Sequence, residues 1–175
     1  STGETAQSTA PTSEAGTQPE KKVLRTAIVY SPVTGIAADL STAPDEGFAE
    51  GMMGEGAVVT PKDPVICAPE DGEVEFIFDT KHAIGLATES GLELLIHIGV
   101  DTVELGGKFY TAHVKDGDVV KKGQTLITFD MDAIKAAGYL CTTPMIVCNT
   151  DDYKEIKTVA SGTVKASQDL LEIKN

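Results

Sequence analysis

Short apolar runs rich in Val, Ile and Thr recur from Val23 onward, each broken by Gly, Pro or Asp. Many alternate apolar with polar positions, the period-2 signature of a half-buried strand. The pattern predicts strands at 27–30, 36–40, 57–60, 65–67, 72–78, 84–87, 92–98, 103–105, 111–114, 119–120, 126–129, 145–148, 156–159 and 162–164. Many short strands at close spacing imply an all-β fold, an antiparallel β-sandwich or barrel-sandwich with a few short helical turns. One turn is expected from Phe48 to Met53 and another near Asp151 to Lys154. A third runs from Asp132 to Ala137, with Asp130 or Asp132 as its cap and Gly138 as its stop.

A weak internal repeat accompanies the strands. Ser31-Pro32-Val33-Thr34-Gly35-Ile36, Ala68-Pro69-Glu70-Asp71-Gly72-Glu73-Val74 and Ala160-Ser161-Gly162-Thr163-Val164 each read as a small residue, a turn ending in Gly, then a strand. Such units resemble the hammerhead halves of biotinyl and lipoyl carrier domains. The Met-Lys-Met and Asp-Lys-Ala hairpins that carry the modified lysine there do not occur here, so a carrier role is not expected.

Composition narrows the classes. Residues 1–22 hold no Ile, Leu, Val, Phe or Met, and such a segment cannot bury enough apolar surface to offset its ordering entropy. They read as a disordered linker or tail, with the folded domain over 23–175. Hydrophobic residues at 41%, aromatics at 5% and no Trp predict an aliphatic core. A net charge of −13 excludes nucleic acid and anionic membrane surfaces as natural partners and favours a basic protein. No apolar run approaches the ~20 residues that span a bilayer. Cys67, Cys141 and Cys148 form no C-x-x-C, and they read as buried free thiols of a reducing, cytoplasmic compartment.

Chemistry concentrates in two of the three histidines. His82 lies in Asp79-Thr80-Lys81-His82-Ala83-Ile84, and His97 in Leu92-Glu93-Leu94-Leu95-Ile96-His97-Ile98-Gly99. Alternation puts Leu92, Leu94, Ile96 and Ile98 on a core face and Leu95, His97 and Gly99 on the other. Thr80, His82 and Ile84 share one parity. Both rings are thus expected on a face that is not the main core, among apolar neighbours suited to a docking patch. A neutral imidazole is a competent nucleophile once an acceptor holds its second nitrogen and fixes the tautomer. Gly99 lets backbone approach His97 closely, and Thr80 stands where it can orient His82. His113, alone in Tyr110-Thr111-Ala112-His113-Val114, reads as structural or surface.

His97-Ile98-Gly99-Val100-Asp101-Thr102-Val103-Glu104-Leu105 with Thr80-Lys81-His82-Ala83 upstream resembles the glucose-type enzyme IIA of the bacterial phosphoenolpyruvate:sugar phosphotransferase system. Further matches are Ser31–Gly35, Phe48–Gly56, Ala68–Gly72, Asp116–Gln124 and Thr142–Pro144, so the likeness covers about 30 to 170. It implies phosphorylation of His97 at Nε2, with the Gly99 carbonyl orienting the ring. His82 then steadies the phosphoryl group and Thr80 holds His82. Phe48, Met52, Met53, Phe78, Leu95 and Val103 correspond to an apolar partner-binding rim, and Asp101 braces the loop or meets a basic group of the donor. The family's donor is the phosphocarrier HPr and its acceptor a cysteine of a IIB domain, which phosphorylates the imported sugar. No cofactor is implied. Ala136–Tyr139 and Asn149–Tyr153 look closer to IIA domains fused within β-glucoside, sucrose or trehalose permeases. The Ser/Thr/Pro/Gln-rich start then fits a tether to IIC or IIB domains at the inner membrane face.

Two other readings stand beside the relay. One is a zinc-binding metallohydrolase-like β-sandwich, although zinc hydrolases need three protein ligands and the H-x-H spacing is missing; incidental zinc capture between His82 and His97 stays open. The other is a regulatory binding module whose docking is controlled by a phosphoryl dianion.

Overall fold

The computed structural model describes residues 26–175, so the tail expected at 1–22 lies outside the described residues. The strands are β1 (Thr26–Tyr30), β2 (Gly35–Asp39), β3 (Glu55–Pro61), β4 (Val65–Cys67), β5 (Gly72–Ile77), β6 (Ala83–Thr88), β7 (Glu93–His97), β8 (Tyr110–Ala112), β9 (Val119–Val120), β10 (Thr125–Phe129), β11 (Thr143–Val147), β12 (Glu155–Thr158), β13 (Gly162–Val164) and β14 (Asp169–Lys174). Two short helices, α1 (Glu46–Ala49) and α2 (Met131–Ala136), interrupt them. All pairings are antiparallel, as the alternating pattern predicts. One large sheet runs β13-β2-β3-β11-β7-β6-β5-β9, and two small ones run β1-β14-β12 and β4-β10-β8.

The centre of the large sheet is covered on both faces, which explains why β7 reads apolar at both parities. Leu94 and Ile96 point into the main core with Ile84, Leu86, Met145, Leu126 and Tyr110. Leu95 points the other way, into a small cluster with Leu40, Phe48, Ala83 and Ile146. Burying a Leu or Phe side chain contributes about 1.5–3 kcal/mol, so this second cluster is a real platform rather than stray surface. It lies directly beneath the histidines.

Three expectations need correction. The strand expected at 103–105 is a 3-10 turn, Thr102–Leu105, because Asp101 and Gly106 flank it with left-handed backbone and the chain cannot stay extended between them. β14 answers to no predicted strand; its Leu170-Leu171 pair breaks the alternation, yet it is buried between β1 and β12. Cys148 is exposed, unlike Cys67 and Cys141, because it stands in the turn just past β11.

The helical turns lie close to their expected places. The Asp130 carboxylate accepts from the Ala133 amide at 3.1 Å and Gly138 takes φ +95°, so α2 has the cap and stop its sequence predicts. α1 starts earlier than expected, because Asp45 rather than Phe48 opens it: its carboxylate accepts from the Gly47 amide at 2.8 Å. The last turn is a 3-10 turn, Thr150–Asp152.

Candidate active site

His97 closes β7, and its register partner Ala83 opens β6. The Ile98 amide donates to the His82 carbonyl at 2.6 Å, so the ladder carries the segment next to each ring. The imidazole centroids lie 4.7 Å apart with an interplanar angle of 85°. The two residues are brought together as expected, but not by the expected parity. Ile84 is fully buried in the main core, and it is Ala83 that shares the His97 face. His82 instead belongs to the loop closing the β5–β6 hairpin, where the Phe78 amide meets the Ala83 carbonyl at 3.1 Å. Lys81 in that loop adopts φ +60°, and this left-handed step swings the His82 ring toward His97. The result is a His82 that is only 2% exposed, where alternation had placed it on an open patch. His97 is half-buried.

Each ring has an orienting partner, and the partners differ in kind. His97 Nδ1 lies 2.9 Å from the Gly99 carbonyl oxygen, which can only accept. Nδ1 therefore carries the proton and Nε2 keeps its lone pair. Gly99 reaches this position with φ +97°, and a Cβ there would sit 2.4 Å from Thr102 Cγ2 and 2.9 Å from the Leu140 carbonyl oxygen. His82 Nδ1 lies 2.7 Å from Thr80 Oγ1, a group that can donate or accept.

Burial, together with the neighbouring His97 ring, pushes His82 down to about 4. Burial also lowers His97, opposed by the Gly99 carbonyl and by the carboxylates of Asp45 and Asp101. Both rings are accordingly neutral near pH 7. Asp45 escaped the sequence reading; its place in the field of His97 follows from the fold of α1 onto the sheet.

The apolar residues divide into floor and rim. Phe48 and Leu95 are buried, with the Phe48 ring 5.1 Å from that of His97, so they form a floor rather than the docking edge expected of them. Met52, Met53, Phe78 and Val103 are exposed, Met52 at 76%. Leu140 is exposed at 55%, and its carbonyl receives the Val100 amide at 3.1 Å. Phe78 meets His82 edge-on at 5.4 Å and stacks on Phe76 at 5.5 Å. Phe76 in turn lies over Gly85, its cross-strand partner, where a Cβ would strike the ring at 2.2 Å. An aromatic ring covering a strand glycine in this way steadies the hairpin that presents His82. Neither Phe76 nor Gly85 carries a signal in the sequence, because their contact depends on the bulge between Val74 and Phe76.

A cleft of about 690 Å³, lined by Asp39, Leu40, Glu50, Glu55, Glu155 and Lys157 among others, contains neither histidine. Among the described residues no three His, Cys, Asp or Glu side chains group as metal ligands, so the three-ligand set of a zinc hydrolase is not formed. His113 stands apart, its Nε2 2.8 Å from Thr128 Oγ1 on the exposed surface, as a surface role predicts.

Comparison with known proteins gives a consistent picture. The family model described as phosphoenolpyruvate-dependent sugar phosphotransferase system, EIIA 1, matches residues 27–153. The PTS system glucose-specific EIIA component of Oceanobacillus iheyensis is 45% identical over 148 residues, covering 84% of this chain and 90% of that protein. The PTS system beta-glucoside-specific EIIBCA component of Dickeya chrysanthemi is 44% identical over 159 residues, covering 91% of this chain. The chain spans about a quarter of the length of that relative and of its Bacillus subtilis counterpart. Among solved structures, the glucose permease IIA from Mycoplasma capricolum superposes with a TM-score of 0.79 at 33% identity, over 85% of this chain and 96% of that one.

Proposed function

This chain belongs to the phosphoenolpyruvate-dependent sugar phosphotransferase system EIIA 1 family, and from that premise we propose that it is a phosphoryl relay in sugar uptake with His97 as the covalent carrier. The observation that carries the reading is the fixed tautomer of His97, a neutral ring whose Nδ1 is held by the Gly99 carbonyl while Nε2 keeps a free lone pair.

The chemistry follows from that geometry. Nε2 attacks the phosphorus of a phosphohistidine on HPr; a new N–P bond forms as the donor's N–P bond breaks, and its electron pair returns to the donor ring. A cysteine thiolate of a IIB domain then attacks the same phosphorus, and the lone pair returns to His97 Nε2. The Nδ1 proton stays where it is throughout. With Thr80 Oγ1, 2.7 Å from His82 Nδ1, acting as the donor, the His82 Nε2–H is left as a donor toward the phosphoryl oxygens. The buried floor of Phe48 and Leu95 keeps water from one side of the site and strengthens that contact. Met52, Met53, Phe78 and Val103 supply apolar docking ground for protein partners, and methionines adapt to more than one such surface. Asp45 and Asp101 add negative charge beside His97, which suits a basic donor surface.

Relatives named EIIBCA components support a IIB partner and linkage to a IIC domain. No helix among the described residues is long and apolar enough to cross a membrane, and the proposed place of this domain is the cytoplasm, at the inner membrane face when joined to a permease.

The test is reconstitution with phosphoenolpyruvate, enzyme I and HPr, followed by peptide mass spectrometry under conditions that preserve phosphohistidine. Label on His97 is expected, and transfer from purified phosphorylated HPr should be unchanged by a chelator. Label on another residue, or loss of that last transfer on chelation, would overturn the assignment.

A further inference from the structure

We propose that Tyr110, together with Thr102, is a positioning residue for His97: their hydroxyls clamp the peptide that aims the Gly99 carbonyl at Nδ1. The inference rests on His97 being the phosphoryl carrier. The Ile98 carbonyl accepts two buried hydroxyls, Thr102 Oγ1 at 2.7 Å and Tyr110 OH at 2.9 Å. At the other end of the same peptide plane, the Gly99 amide donates to the Thr142 carbonyl at 3.1 Å. The following plane is held by the Val100 amide on the Leu140 carbonyl, also at 3.1 Å. Gly99 sits between two pinned planes, and a glycine without such pins would turn freely about φ and ψ. The carbonyl that sets the His97 tautomer owes its direction to these neighbours.

Tyr110 is delivered to this task from another sheet. It opens β8, pairs through Phe129 of β10, and stacks on the Phe129 ring at 6.3 Å. Phe109, just before it, adopts φ +76°, a costly conformation for an aromatic residue. Strain of this kind persists where the surroundings fix it, and here it turns the chain so that Tyr110 enters the core and its hydroxyl reaches Ile98. Burial pushes the Tyr110 phenol up to about 12, so the hydroxyl stays a donor at every working pH.

Tyr110→Phe keeps the ring and removes one donor; Thr102→Val removes the other at similar volume. ¹⁵N NMR of the imidazole reads the tautomer directly, without any phosphoryl donor. In the parent protein His97 should carry its proton on Nδ1 alone. In Tyr110→Phe the Nε2–H form should become visible, and single-turnover uptake from phosphorylated HPr should slow about three- to tenfold with the half-saturating HPr concentration unchanged. In the double variant the buried carbonyl has lost both donors, and the slowing should exceed the product of the single effects. Thr102→Ser, which retains the hydroxyl, should restore the parent tautomer and rate. An unaltered tautomer and rate in Tyr110→Phe, or a Thr102→Ser as impaired as Thr102→Val, would overturn the clamp. If Thr102→Val does not fold, the Tyr110→Phe result decides alone. A parent His97 that shows the Nδ1–H form yet takes no phosphoryl group would overturn the proposed function instead.

Discussion

The two histidine segments solve the same problem in opposite ways. His97 sits at the end of a central strand with its Nδ1 on a backbone carbonyl, a partner that only accepts. His82 sits in a hairpin loop with its Nδ1 on a threonine hydroxyl, a partner that does either. The first arrangement admits one neutral tautomer; the second leaves the ring able to change roles as charge arrives and departs nearby. A nucleophile needs the former and a charge-stabilising donor the latter, so the difference in partner matches the difference in proposed role.

The sharpest way to break the comparison is to remove each ring. His97→Ala should abolish phosphoryl uptake altogether in a labelling assay, since no other lone pair is held in place; persistent stoichiometric label in that variant would erase the distinction. His82→Gln should still accept the group from HPr but pass it to a IIB cysteine about 10²-fold more slowly, the scale expected for one lost stabilising donor. A stopped-flow split of uptake from release checks this, and equal slowing of both steps would contradict it. Thr80→Val should slow release by about tenfold while leaving uptake near the parent rate, because it frees His82 without removing it.

The smallest effect concerns acid. His82 is held at about 4 against an ordinary 6.5, a base kept neutral by burial. The unfolded chain therefore binds more protons across that window, and stability present above pH 6.5 is lost as pH falls toward 4. Melting curves at pH 7 and pH 5 should show a Tm drop that shrinks in His82→Gln. A drop of the same size in both proteins would mean that His82 does not carry it.

Much of this was readable from residues alone. Alternation along Leu92–Ile98 separates His97 from the main core, and Gly99 reads as its orienting backbone because only a glycine tolerates that approach. The His82 parity failed for a local reason: the left-handed Lys81 redirects the ring, and nothing in Thr80-Lys81-His82 announces it. The segment 103–105 looked like a strand from its Val and Leu, whereas the αL residues Asp101 and Gly106 curl it into a 3-10 turn. Asp45, Phe76, Gly85 and Tyr110 carry no signal because each acts through a partner on another segment, Tyr110 through the carbonyl of Ile98 and Phe76 through a bulged register with Gly85. Pattern reads what a residue faces; it does not read which other strand will be there.

The exposed side chains of Met52, Met53, Phe78 and Val103 are the docking ground proposed for a single half-buried ring. Donor and acceptor of the proposed relay must use that same small ground, so they exclude one another and the phosphorylated domain is vacant between visits. Throughput is then governed by traffic: a donor that lingered would block delivery as effectively as a missing histidine. Weak, rapidly exchanging contacts are on this view a requirement of the task, and a variant that tightened HPr binding would slow sugar entry.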